Sequence, residues 1–296
     1  MKIGCVIQGD IRRGTALVLD EMCSLFDLVI LSTWVDQEDV IPDGNFLLLL
    51  SEKPQVPGLT NRNLQRLLTA KGLHLARNLE CDYVLKWRSD MLPSKLNVND
   101  LLCWANFDVP SGMRSRIAMP AFRNLSVEPD WFSSIPDIFA FGHISDMEML
   151  WGDKGFNYAL DLNVPEEMLS ELSGKFSNLS SLYCSESELY AIFKDRLQKK
   201  IGRKLTHHQI ASDYFRLFDH GRLGIFWFGR ERGFRAIAQA REHRWWTEKN
   251  WLKRNAIVNF PGYPVKGTYQ NLQKFISPFM VKLDEFRQSI AWMISS

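Results

Sequence analysis

Apolar and polar positions come in blocks along the first ninety residues, and the blocks read as strand, helix, strand, helix. Ile3 to Ile7 is a short apolar run closed by Gln8-Gly9-Asp10, and Thr15 to Phe26 carries Ala16, Leu17, Leu19, Met22, Leu25 and Phe26 at helical spacing. Two more short apolar runs, Leu28 to Leu31 and Phe46 to Leu50, are each followed by polar residues and turn formers. A long helix is predicted from about Asn61 to Leu79, with Leu64, Leu67, Leu68, Leu75 and Leu79 on one stripe. The segment Asp82 to Asp90 is then an apolar strand that ends in the charged residues Lys86, Arg88 and Asp90. Short strands without polar alternation, interleaved with helices, predict a parallel sheet covered on both faces. The expected fold class is α/β, of Rossmann type.

Farther along, residues Asn106 to Ile135 read as a long irregular stretch, made cationic by Arg114, Arg116 and Arg123 and suited to acceptor-binding loops. An apolar strand, Ile138 to Phe141, follows between Asp137 and Gly142. Ser185-Glu186-Ser187-Glu188 precedes an apolar helix, and its Ser185 and Glu188 have the spacing of a capping box.

Charge divides the chain. Residues 221–296 hold thirteen Lys and Arg against five Asp and Glu, so with +2 overall the first 220 residues carry −6. The expected organisation is a nucleotide-binding domain over 1–220 and a basic, mostly helical region over 221–296 that packs on it. That region interleaves aromatics with cations, as in Phe226-Trp227-Phe228-Gly229-Arg230, Arg244-Trp245-Trp246 and Trp251 with Lys253-Arg254. Its aromatics either fill a core while its cations are solvated, or they form a surface for anionic headgroups or a lipid-linked pyrophosphate. Nucleic acid is not an expected partner, because no recognition motif accompanies the charge.

With 46% hydrophobic residues, the 296-residue chain has ample material for a core. Met1-Lys2 stands directly before a strand, and no window reaches the apolar run of roughly 18 residues that a membrane span needs. Cytoplasmic residence is expected, with peripheral contact at the cytoplasmic face of the inner membrane through the basic region. Cys5, Cys23, Cys81, Cys103 and Cys184 are odd in number and far apart, which predicts buried free thiols. Neither these nor the histidines His207, His208 and His220 show metal-ligand spacing. Gln8-Gly9-Asp10-Ile11-Arg12-Arg13-Gly14-Thr15 lacks both the lysine and the register of a P-loop, and no Gly-x-Gly-x-x-Gly follows the first strand.

Candidate chemistry gathers at the carboxyl ends of the predicted strands, where open α/β sheets bind ligands. Lys86, Arg88 and Asp90 suit a phosphate-bearing ligand. Gln8 and Gly9 either face a base or ribose or form an ordinary turn. Ser32, Thr33 and Trp34 either contact a nucleoside or, for Trp34, cap the core. Asn61 is a candidate N-cap, and Arg62 beside it faces donor phosphate or solvent.

Taken in order, Val6-Ile7-Gln8-Gly9, Ser32-Thr33-Trp34, Asn61-Arg62-Asn63-Leu64-Gln65, Lys86-Trp87-Arg88-Ser89-Asp90, Ile135-Pro136-Asp137 and Phe139-Ala140-Phe141-Gly142 resemble the WavE lipopolysaccharide-synthesis family. The resemblance spans about the first 150 residues, with an echo at Ser185-Glu186-Ser187-Glu188-Leu189-Tyr190. It implies a glycosyltransferase of GT-A type, which moves a sugar from a nucleotide-sugar donor to a glycan or lipid-linked glycan acceptor of a bacterial surface polysaccharide. The usual metal-binding Asp-x-Asp of that class has one counterpart here, Asp90 of Arg88-Ser89-Asp90. Asp90 therefore either holds Mn²⁺ or Mg²⁺, or leaves the diphosphate to Lys86 or Arg88. Asp90, Asp137 and Glu186 are the implied catalytic carboxylates, and Gln8, Gly9, Ser32, Thr33, Trp34, Asn61, Arg62, Lys86 and Arg88 the implied donor contacts. A non-catalytic glycan- or lipid-binding protein on the same fold is the alternative.

Overall fold

A seven-stranded sheet organises the chain. The computed structural model describes residues 1–120, 122–123, 134–172, 185–218, 220–228, 245–246 and 251, all within the unit Met1–Trp251. Its strands are β1 (Ile3–Gln8), β2 (Leu28–Trp34), β3 (Leu47–Ser51), β4 (Tyr83–Arg88), β5 (Met91–Pro93), β6 (Ile117–Pro120), β7 (Phe122–Arg123), β8 (Ala140–His143), β9 (Phe215–Phe218), β10 (Ile225–Trp227) and β11 (Trp245–Trp246). The helices that matter for the site are α1 (Thr15–Leu25), α2 (Arg62–Asn78), α3 (Val98–Ala105), α4 (Ile144–Trp151), α5 (Glu166–Leu172) and α6 (Ser185–Ile201).

The sheet order is β3-β2-β1-β4-β8-β6-β9. The first four strands are parallel, as their apolar runs predict, while β8 lies antiparallel between β4 and β6. The fold is α/β with a Rossmann-type parallel half. Strand order reverses between β1 and β4, because β2 and β3 were laid on one side of β1 and β4 on the other. Such a switch point leaves a crevice beyond the carboxyl ends of the two strands. Register places Gln8 between Ser32 and Arg88, so the ends of β2, β1 and β4 open side by side.

Helix α2 covers the parallel half with a different face from the leucine stripe. Its buried residues include Thr69, Ala70, Gly72, Leu73 and Ala76; of the stripe Leu68 is buried with them, whereas Leu64, Leu67 and Leu75 are half-buried. The cause is distance: a Cβ on Gly72 would stand 2.3 Å from Val6 Cγ1, so only a small-residue face fits this close to β1. The stretch between Asn106 and Ile135 also departs from expectation, because Ile117–Pro120 is a sheet strand paired with β8 and β9. Arg116 in it is buried rather than presented to an acceptor. Its guanidinium donates to the carbonyls of Phe107, Asp108 and Ser212, which satisfies a buried charge with backbone oxygens. Arg123 lies outside the residues whose side chains are described.

Cys5 and Cys81 are buried free thiols, but Cys23 is half-buried and Cys103 exposed on α3. Among the described residues, no helix is long and apolar enough to cross a membrane. Of the aromatic-cationic segments, Trp251 is fully buried, with its indole donating to the Phe215 carbonyl at 2.8 Å and Arg216 stacked between it and Trp104. Arg230, Arg244, Lys253 and Arg254 fall outside the described residues, as does Cys184.

Candidate active site

Asp90 lies just past the carboxyl end of β4, beside the end of β1, and is 2% exposed. Strand β4 ends at Arg88, a turn follows, and β5 starts at Met91, which turns the Asp90 side chain toward the end of β1. Arg88 closes a fork on it, with Nε donating to Oδ1 at 2.9 Å and Nη2 to Oδ2 at 3.0 Å. Oδ2 also accepts from the Trp227 indole at 3.0 Å and from Arg12 at 3.3 Å. Burial alone would raise the pKa of this carboxyl. The Arg88 fork, the indole and the nearby Arg12 charge outweigh burial and hold it below the ordinary aspartate value.

The network continues in both directions. Arg88 Nη1 donates to Asp137 Oδ2 at 3.0 Å, and Trp227 stacks 5.2 Å from the guanidinium. Burial works to lower the Arg88 pKa, but its bonds to Asp90 and Asp137 raise it further, so the cation is permanent. On the other side, Arg12 reaches Asp10 at 3.1 Å, and Asp10 accepts from the Trp34 indole at 2.9 Å. Three carboxylates and two guanidinia thus alternate from β1 through β4 to the segment before β8. Ser89 ties the floor together, donating its hydroxyl to the Asp10 carbonyl, and a Cβ on Gly9, at φ 129°, would stand 2.7 Å from Ser89 Oγ. This close approach, together with positive φ, explains glycine at position 9 better than contact with a base does. Strand β10 roofs the cleft by pairing with β5, and the Phe228 amide donates to the Asp90 carbonyl at 3.0 Å.

The remaining sequence candidates lie at the strand ends, beneath the site or in a second cluster. Gln8 is buried at the end of β1 beside Arg88. Ser32 and Thr33 are fully buried, bonded to the Leu68 carbonyl and to Gln37 respectively. Trp34 is buried too, yet its indole steers Asp10 into the cleft. Lys86 is sealed below the site: its ammonium bonds to the Asp137 carbonyl and sits 4.6 Å from the Trp151 ring. Burial pushes its pKa down to about 7.

A second cluster holds the rest. Asn61 stands at the N-cap of α2 in left-handed conformation, φ 62°, and its side chain makes no capping bond. Arg62 instead reaches α6, where Nη1 meets Glu188 Oε2 at 2.9 Å with both side chains 2% exposed. The same oxygen accepts the Asn163 amide at 2.7 Å, so Glu188 serves a long-range contact as well as any local cap. Glu186 accepts from the Ser185 hydroxyl, and its carbonyl accepts the Ile135 amide, which sets it next to the Asp137 segment. A cavity of about 10 Å³, the size of one water, lies among Arg62, Gln65, Asp137, Trp151, Ser185 and Glu188. Separately, an open groove of about 1390 Å³ crosses the outer side of α2, α4 and α6, lined by residues that include Lys71, Leu75, Met149, Phe156 and Arg196.

At nucleotide sites Mg²⁺ takes one or two protein carboxylates, with phosphate oxygens and waters as its other ligands. Asp90 offers little for such a role, since four donors from three side chains already bond to it, three on Oδ2 and Arg88 Nε on Oδ1. Asp10 and Asp137 are each separated from Asp90 by a guanidinium. Among the described residues, no group of three or more His, Cys, Asp or Glu is arranged to hold a metal ion. Among the described residues, the side chains as arranged do not fit such an ion.

Sequence reasoning missed Asp10, Arg12 and Trp227. Asp10 and Arg12 carried a usable signal, because the β1–α1 turn must lie at the same sheet end as Asp90. Trp227 stood out only as part of an aromatic-cationic segment, and nothing in the sequence joined it to Asp90, 137 residues away.

No family model matches the chain, so the likeness to the WavE family rests on the quoted residues, and no curated protein matches it either. Among solved structures it is similar to a 4-diphosphocytidyl-2C-methyl-D-erythritol synthase from Anaerococcus prevotii, at 12% identity and TM-score 0.35 over 74% of this chain and 88% of that one. It is also similar to a glycosyltransferase involved in the glycosylation of the major capsid of PBCV-1, at 12% identity and TM-score 0.36 over 70% and 82%. At these values the chemistry rests on the chain's own residues.

Proposed function

We propose that the chain is a glycosyltransferase whose nucleotide-sugar donor lies in the cleft between the carboxyl ends of β1 and β4. The observation that carries this reading is the Asp90 carboxylate, on which Arg88, Arg12 and Trp227 converge from three distant segments. A structural core has no need of a half-exposed cation such as Arg12 at a sheet switch point, whereas a diphosphate binds to one.

Transfer breaks the bond between the anomeric carbon and the diphosphate oxygen, with the electron pair leaving on the nucleoside diphosphate. The acceptor hydroxyl oxygen bonds to that carbon and gives up its proton. Cations fixed beforehand stabilise the charge that grows on the leaving group. Asp90 holds Arg88 in place through its two-point fork. Asp137, bonded through one oxygen to Arg88, is the first candidate to take the proton, with Glu186 on the adjoining segment as the second. The WavE-like motifs extend the proposal to a lipopolysaccharide core, O-antigen or capsule intermediate as acceptor. The basic composition of 221–296 extends it to peripheral contact with the membrane that carries a lipid-linked acceptor.

The test is thermal melting with a panel of nucleoside diphosphates and nucleotide sugars, on the wild type and on Asp90→Ala. Selective stabilisation by one nucleotide, lost in the variant, is expected; a flat response across the panel removes the transferase reading.

A further inference from the structure

The two guanidinia on Asp90 are held very differently. Arg88 has its Nε, Nη1 and Nη2 all bonded to carboxylates and its plane under Trp227, so it is a fixed cation. Arg12 is 52% exposed and makes two longer bonds, 3.1 Å to Asp10 and 3.3 Å to Asp90. Its turn begins at Gly9, φ 129°, and ends at Gly14, φ 89°, left-handed conformations that glycine adopts without strain, with the two ends packed against Ser89 and Phe228 and Arg12 on the stretch between them.

The turn's backbone is also largely spoken for. Gly9 N donates to the Ser32 carbonyl, Ile11 N to Gln37, Arg12 N to Thr15 Oγ1 and Thr15 N to the Arg12 carbonyl. A phosphate arriving here cannot use those amides as a P-loop would, and must be met by side chains. Asp90, for its part, stays satisfied by the Arg88 fork and the Trp227 indole after Arg12 departs, with little lone-pair capacity left for a metal ion.

We propose that Arg12 is the exchangeable cation of this site: it leaves Asp90 to bind the donor's diphosphate, with Arg88 fixed beside it, and the diphosphate binds without a divalent ion. Arginine suits the exchange, because its planar fork matches two phosphate oxygens as well as it matches a carboxylate. This inference rests on the reading of the cleft as a nucleotide-sugar site, and goes beyond it in naming what neutralises the phosphates.

Calorimetric titration with uridine, guanosine, cytidine, adenosine and thymidine diphosphates, each in EDTA and in Mn²⁺, tests it on the full chain. One of them is expected to bind equally well in EDTA and in Mn²⁺, its monophosphate more weakly. Arg12→Ala should weaken that binding by about 10- to 100-fold, the loss of charge-assisted hydrogen bonds, while Arg12→Lys restores part of it. Because Arg12 is half-exposed, both variants should fold, which their unliganded melting temperatures check. Binding that appears only with Mn²⁺, or an Arg12→Ala variant that binds in EDTA like the wild type, overturns the inference and leaves the transferase reading standing. Binding of none of the five under either condition overturns both.

Discussion

Two arginine-carboxylate clusters border Asp137, and their exposure to solvent distinguishes them. In the β1–β4 cleft, Arg12 and Asp10 are 52% and 41% exposed and lie on a turn, so their bonds can be remade around a ligand. Between α2 and α6, Arg62 and Glu188 are each 2% exposed, and Arg66 beside them donates to the Leu150 and Gly152 carbonyls at the end of α4. The residue types are the same in both. What differs is whether water, or a phosphate, can compete for the partners. A sealed pair fixes helices, since losing one member strands a buried charge, whereas a pair open on one side can trade a partner for substrate.

That contrast can be broken most severely at Asp90. Asp90→Ala should lower sugar transfer by on the order of 10²- to 10³-fold, the scale for losing preorganised charge at a leaving group, in an assay of nucleoside diphosphate release. Glu188→Ala should instead cost about 3 to 5 kcal/mol of stability in urea unfolding, with the nucleotide-induced rise in melting temperature preserved in whatever folds. If Glu188→Ala abolished that rise at unchanged stability, the two clusters would have exchanged roles.

Lys86 sharpens the comparison, because it underlies the cleft and is as buried as the sealed pair. Its folded pKa of about 7 lies below the ordinary lysine value of 10.5, so between these values the unfolded chain binds the extra proton. Stability should therefore rise with pH across that window, by up to about 1.4 kcal/mol per unit. Denaturant titrations of the wild type and Lys86→Met at several pH values should differ by this slope, and parallel curves would show that Lys86 stays charged in the folded state. The smallest expected effect is at Trp34→Phe, which removes the indole bond to Asp10 and should cost about 1 kcal/mol. Asp10 then loses its anchor, so donor affinity should fall by a few-fold while the Arg62–Glu188 cluster is untouched.

Much of the parallel half was legible because it obeys periodicity. The strands β1 to β4 and helices α1 and α2 fall within a few residues of their predicted bounds. The buried face of α2 was not, since the leucine stripe advertised one face and the close approach of Gly72 to Val6 selected another. Strand β6 escaped as well: four residues between loops give no period to read, and β8 pairs with it only after the chain returns. At the site, Arg88 and Asp90 announced themselves by ending an apolar strand. Arg62 was legible as a residue of interest, but its partner Glu188 is 126 positions away, and spacing could not say that the pair is sealed. Trp227 and the β10 roof depend on strand pairing with β5, a long-range event invisible to local reasoning.

The central claim is that the nucleotide sits at the carboxyl ends of β1 and β4. Amide hydrogen exchange, measured with and without the nucleoside diphosphate that most raises the melting temperature, tests it directly. Slowed exchange across residues 9–15 and 88–92 is the predicted result. Protection confined to 149–156 and 192–200, along the groove of α4 and α6, would contradict it.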